Sequence, residues 1–143
     1  MKILGQLRES QCKELPKRPG VYVVMAPSRF RSVFINPGTG GYFKGRDPNV
    51  GLTVLRSRWI SGARELYIGK ASRNLRQRVW RFLEFGCGKP VAHWGGRLIW
   101  QLKDSRNLLL AWYTDPSPNQ EEKRRLQQFE QKYGQLPFAN LRH

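Results

Sequence analysis

The chain has 143 residues and a net charge of +16, from 26 basic and 10 acidic side chains. That length suits a single domain with an ordinary hydrophobic core, and no apolar run is long enough to span a bilayer. A charge this large calls for a polyanionic partner, and the lack of a helix pairing a basic face with a broad apolar one argues against a membrane surface.

Residues 1–19 read as a helix or loop closed by Pro16 and Pro19, and Met1–Gly5 lacks the apolar stretch of a signal peptide. Residues 20–26 are β-branched and aromatic, hence a strand, and 30–36 are a further strand candidate. Pro37 to Gly41 is a turn, and Asp47-Pro48 has the form of an N-cap followed by proline, opening a helix to about residue 60. Residues 65–71 form another strand. Residues 74–86 form a helix with an apolar stripe of Leu75, Val79, Phe82 and Leu83, closed by Gly86-Cys87-Gly88. A short helix is expected over 96–103 and a strand over 108–114. A last helix starts near Ser117, where Ser117 and Gln120 have capping-box spacing, and runs to Tyr133 before Gly134. Without the segment 27–64, the order is strand, strand, helix, strand, helix, which fits an α+β domain with a small sheet. Cys12 and Cys87 form no CxxC pair and read as reduced thiols of a cytoplasmic protein.

The cations cluster. Residues 28–81 hold twelve Lys or Arg against Asp47 and Glu65, and arginine outnumbers lysine 17 to 9 over the chain. Forked guanidinium groups suit phosphate. Two tripeptides stand out in the same region: Gly20-Val21-Tyr22, and Tyr67-Ile68-Gly69 followed by Lys70 and an arginine-bearing helix. This ordered set resembles the GIY-YIG nuclease family, with valine in place of isoleucine in the first signature. The resemblance extends from Gly20 to Asn140. It implies a three-stranded, mainly antiparallel sheet flanked by helices, a single nuclease domain over 1–143, and a basic insertion at 27–64. The insertion is long, since 44 residues separate Tyr22 from Tyr67.

The resemblance also implies roles. Tyr22 and Tyr67 would share one cleft, one acting as general base or positioning the attacking water and the other supporting the scissile phosphate; which does which stays open. A tyrosine needs a lowered pKa to act as a base near neutral pH, and Lys70 and Arg78 could supply the positive setting. Arg78 flanks the buried stripe of its helix, where it could reach a phosphate, whereas Arg73 and Arg81 point to solvent. Phe82 stands where some relatives carry tyrosine or histidine. Glu122 is centred on the face of Leu126, Phe129 and Tyr133, while Glu121 is turned about 100° away. A carboxylate aimed at apolar surface needs a counter-charge, and the family's metal-binding glutamate lies on this helix. Glu122 is therefore the expected ligand of one Mg²⁺ or Mn²⁺. Asn140, in Pro137-Phe138-Ala139-Asn140, is expected to support the site.

Softer candidates for nucleic-acid contact are Lys44, Arg46, Arg73, Arg76, Trp80, Arg81, His93 and Arg97. Trp80 falls between exposed arginines and could stack on a base. His93 could bind phosphate, replace the missing group at Phe82, or be an ordinary loop residue. The leading expectation is a metal-dependent endonuclease acting on DNA, ahead of RNA, without membrane association. Concerted double-strand cutting would require a homodimer. The alternatives are a catalytically inactive nucleic-acid-binding module and a basic RNA-binding protein.

Overall fold

The computed structural model describes residues 1–142. It is an α+β fold with four α-helices and one four-stranded antiparallel sheet in the order β1-β4-β2-β3. The strands are β1 (Lys2–Ile3), β2 (Gly20–Met25), β3 (Glu65–Ala71) and β4 (Leu109–Thr114). The helices are α1 (Leu4–Glu9), α2 (Leu52–Arg58), α3 (Leu75–Gly86) and α4 (Pro118–Tyr133). Two short 3₁₀ turns, Arg97–Gln101 and Ser105–Asn107, precede β4. Among the described residues, no helix is long and apolar enough to cross a membrane.

The central strand β2 is covered on both faces, which accounts for its unbroken apolar run. Tyr22 and Val24 join the main core with Leu75, Val79 and Phe82 of α3. Val21 and Val23 turn to the other face, where they pack with Ile68 and Leu126 of α4. β2 pairs with β3 in a register that sets Tyr22 opposite Gly69. That glycine is required by its partner: a Cβ there would lie 2.5 Å from the Tyr22 ring.

α3 follows the expected stripe, capped by the Asn74 side chain accepting the Gln77 amide at 3.0 Å. α4 ends at Gly134, whose φ of +79° suits glycine. Its start differs from the expected capping box. The Ser117 hydroxyl makes no cap bond, and its amide donates instead to Asp115 at 2.7 Å.

Three further expectations change. The sheet has four strands rather than three, because Lys2–Ile3 adds to the edge of β4. Residues 30–36 form no strand, and Phe34 meets Leu102 in a single bridge. Its ring stacks on Phe138 and meets Trp59 edge-on, so tertiary packing outweighs β propensity here. The helix expected from Asp47 starts only at Leu52. Asp47 instead accepts the Asn49 amide at 2.9 Å, Asn49 accepts the Gly38 amide at 2.7 Å, and Val50 donates to Gln101 at 2.9 Å. These bonds hold the backbone away from a helical path. The segment 27–64 is thus partly core: Leu55 is buried, and Arg58 donates to the carbonyls of Phe138 and Asn140.

Candidate functional site

β3 ends on Lys70 and Ala71, the chain turns at Ser72 to Asn74, and α3 runs back over the sheet. α4 packs across β3 from the opposite face. Between them lies a cavity of about 380 Å³ lined by Tyr67, Lys70, Arg73, Arg78, Arg81 and Glu122. Tyr67, Lys70 and Glu122 also border a neighbouring cavity of about 530 Å³, which continues to Arg46, Arg97 and Asn140. Four of the six expected catalytic residues, Tyr67, Lys70, Arg78 and Glu122, therefore share one cleft.

Tyr22 stands behind that cleft with no solvent exposure, its ring 6.1 Å from that of Tyr67. Its hydroxyl lies 2.6 Å from His93 Nε2. His93 is also fully buried, with its ring 4.8 Å from Phe82, and Phe82 stacks on Tyr67. His93 is thus a core residue and cannot contact nucleic acid from where it sits; the histidine fills the space beside Phe82. Its Nδ1 has no hydrogen-bond partner. The Arg78 guanidinium donates to the Ala92 carbonyl at 2.7 Å, tying α3 to the loop that carries His93.

The electrostatics differ from the expected cationic activation of the tyrosines. Burial pushes the Tyr22 phenol well above its ordinary value, and the neighbouring Tyr67 adds to the effect against Arg78. Burial likewise pushes Tyr67 up to about 12, with Arg78 opposing. Desolvation therefore outweighs the guanidinium, and both phenols are neutral near pH 7. Burial, aided by Arg78, drives His93 down to about 3, so the imidazole is neutral too.

Glu122 has an 18% exposed side chain and one ion-pair partner among the described residues, Lys70 at 3.8 Å. Burial raises its pKa, while Lys70 and Arg78 hold it down. No group of three or more acidic, histidine or cysteine side chains that could cage a metal exists among the described residues. The donor set still fits magnesium, which keeps several waters and takes one carboxylate together with substrate phosphate oxygens. A partly buried carboxylate with one distant cation has oxygen lone pairs to spare for such an ion.

Asn140 borders the second cavity, but its amide is already engaged. Oδ1 accepts the Ile68 amide and Nδ2 donates to the Ile68 carbonyl, both at 2.9 Å. It continues the ladder at the edge of β3 and so positions that strand.

The softer candidates divide. Arg73 and Arg81 line the first cavity; Arg46 and Arg97 line the second, each with its guanidinium carbon 4.4 Å from the Trp94 ring centre. Lys44 is exposed beside its own neighbour, Phe43. Arg76 is structural, donating to the carbonyls of Leu15 and Lys13. Trp80 is half-buried against the main core and lines a separate groove with Gln11 and Lys17, so it is not a free stacking platform between arginines. The Tyr22–His93 pair had no local signal, because its partners lie 71 residues apart on a strand and an irregular loop. Arg58 and its grip on the C-terminal segment were equally invisible. Cys12 is buried and Cys87 exposed, both as free thiols.

No protein-family model matches the chain, and no curated protein or solved structure matches it.

Proposed function

We propose that this protein is a metal-dependent endonuclease of the GIY-YIG type that hydrolyses phosphodiester bonds of DNA in the cleft between β3, α3 and α4. One observation carries the reading. Tyr67, Lys70, Arg78 and Glu122, drawn from three elements, line a single cavity of about 380 Å³ in a chain of charge +16. The ordered signatures around Tyr22 and Tyr67 support it independently.

In this mechanism the scissile phosphate sits between Glu122 and Arg78. Glu122 would hold a magnesium ion, which would supply Lewis acidity to the hydrolysis. Arg78 aims its guanidinium at charge that grows on the phosphate, and its bond to Ala92 limits how far that group can stray. Lys70 holds Glu122 in place and adds positive charge to the cleft. The Tyr67 hydroxyl, a neutral phenol, orients the water by hydrogen bonding; the water's proton is lost to solvent, which also protonates the departing oxygen as its bond to phosphorus breaks. Tyr22 and His93 hold Tyr67 from behind, and Asn140 fixes the strand that carries it. Arg73 and Arg81 meet the flanking backbone. The reading places the protein in the cytoplasm and leaves a homodimer as the form suited to cutting both strands.

A second reading is a DNA-binding module without cleavage. The Lys70–Glu122 ion pair favours it, since a lysine beside the carboxylate competes with a metal ion for it. A cleavage assay decides between them. Supercoiled plasmid and nicked or branched duplexes would be incubated with Mg²⁺, Mn²⁺ or EDTA, using the wild type and Glu122→Gln. Metal-dependent cutting lost in the variant supports the nuclease. Tight binding with no cutting of any substrate supports the module.

A further inference from the structure

The cavity beside the proposed cleavage site has an unbalanced charge. Arg46, Lys70, Arg97 and Arg142 line it, against the single carboxylate of Glu122. Lys70 is the residue paired with that carboxylate. Among the described residues, neither Arg46 nor Arg97 has an ion pair. Their guanidinium groups are nevertheless both held against the ring of Trp94.

The two arginines arrive by different routes. Phe43 and Arg46 exchange backbone hydrogen bonds across Lys44 and Gly45, whose φ values are +52° and +74°. Two positive φ values in a two-residue loop make a type I′ turn, a rigid device for delivering the Arg46 side chain. Arg97 opens the 3₁₀ turn after the His93 loop, and its Nη1 donates to the Trp94 carbonyl at 3.0 Å. The Trp94 ring is itself anchored, edge-on to Phe85. Burial and the nearby Arg46 and Arg58 guanidinium groups disfavour the charged form of Arg97. Cation–π attraction offsets part of that repulsion. An anion in the cavity that both arginines line would offset what remains. Planar guanidinium forks match both carboxylate and phosphate, and the excess of cations around this cavity favours the more highly charged phosphate.

We propose that Arg46 and Arg97, stacked on Trp94, form a second phosphate subsite that grips a DNA backbone phosphate flanking the scissile one. The identity of the ligand rests on the nuclease reading; the phosphate subsite itself does not. It makes the 27–64 segment a contributor to substrate grip through a single residue, Arg46. It also makes the enzyme prefer a bond that has a phosphate on the side of this subsite over one at a strand end.

Two measurements on the full chain test it. The first is binding of a fluorescein-labelled DNA duplex in EDTA across a salt series. The Arg46→Ala/Arg97→Ala double variant should weaken binding and lower the slope of log K against log salt by about 2, roughly one for each lost contact. Arg124→Ala, whose guanidinium is held by Glu121, serves as the control and should leave both unchanged. The second is titration of the protein with inorganic pyrophosphate, followed through the Nε–H signals of Arg46 and Arg97, assigned with Arg46→Lys and Arg97→Lys. Both signals should shift saturably and together. DNA binding with an unchanged slope in the double variant overturns the subsite while leaving the nuclease reading intact. No DNA binding, with both signals responding to pyrophosphate, supports the subsite and sinks the nuclease reading. Arginine signals indifferent to pyrophosphate, in protein that binds no DNA, overturn the subsite as well.

Discussion

The Tyr22 hydroxyl and His93 Nε2 lie 2.6 Å apart, and neither side chain is exposed to solvent. Each is the other's polar partner at the floor of the cleft. Replacing Tyr22 with Phe therefore leaves a buried imidazole without hydrogen bonds at either nitrogen. The expected loss is about 1–3 kcal/mol, read as a lower denaturant midpoint at unchanged slope. An unchanged midpoint would mean that the pair contributes nothing to the fold.

His93 also makes stability depend on pH. Its folded pKa of about 3 lies below the ordinary 6.5, so the unfolded chain takes up the proton first. Stability is complete above the unfolded value and falls as pH drops from about 6.5 toward 3, by up to about 1.4 kcal/mol per pH unit. His93→Gln should be less stable at pH 7 yet lose less between pH 7 and 5 than the wild type. Parallel curves for the two proteins would refute the buried neutral imidazole.

Glu122 carries the opposite sign. Burial raises the folded pKa of this acid, so its ionised form opposes folding near neutral pH, and stability from this group rises as pH falls through that raised value. Glu122→Gln should abolish cleavage and raise the melting temperature at pH 7. A variant that is dead and less stable would show that the carboxylate serves chiefly as the counter-ion of Lys70.

Arg78 and Arg73 line the same cavity but sit differently, Arg78 half-buried and tied to Ala92, Arg73 exposed. Arg78→Ala should lower kcat about 100-fold or more with a small effect on binding, the pattern of a lost transition-state donor. Arg73→Ala should instead weaken binding and reduce the salt slope by about 1. Identical kinetic and binding losses from the two would erase the distinction.

Asn140→Ala should act on the fold rather than on the chemistry. It orphans the amide and carbonyl of buried Ile68, at about 1–3 kcal/mol for each group. Activity per folded molecule, measured well below the melting temperature, should stay near wild type. A stable but inactive variant would make Asn140 a substrate-contacting residue after all.

Much of the fold was legible along the chain because it obeys short periods. The β-branched and aromatic run Val21-Tyr22-Val23-Val24, the stripe of Leu75, Val79, Phe82 and Leu83, and the glycine after Tyr133 mark β2, α3 and the end of α4. The convergence of Tyr67, Lys70, Arg78 and Glu122 on one cleft was what the resemblance implied, and helical geometry singled out Glu122 over Glu121. Three residues misled, each through competition from other groups: Phe34 is taken by the distant Phe138 and Trp59, Asp47 by its near neighbour Asn49, and Arg76 by the distant carbonyls of Leu15 and Lys13.

The sequence by itself determined the α+β class, the positions of the main helices and strands, and the strongly cationic character, because hydrophobic period and charge are properties of neighbours in the chain. Only the tertiary structure decided that His93 lies against Tyr22, that Asn140 seals the edge of β3, and that Arg46 and Arg97 both pack on Trp94. It also reversed the expected direction of the tyrosine pKa values. Desolvation depends on how completely the remote chain closes over a group, and here that closure outweighs the pull of a nearby guanidinium.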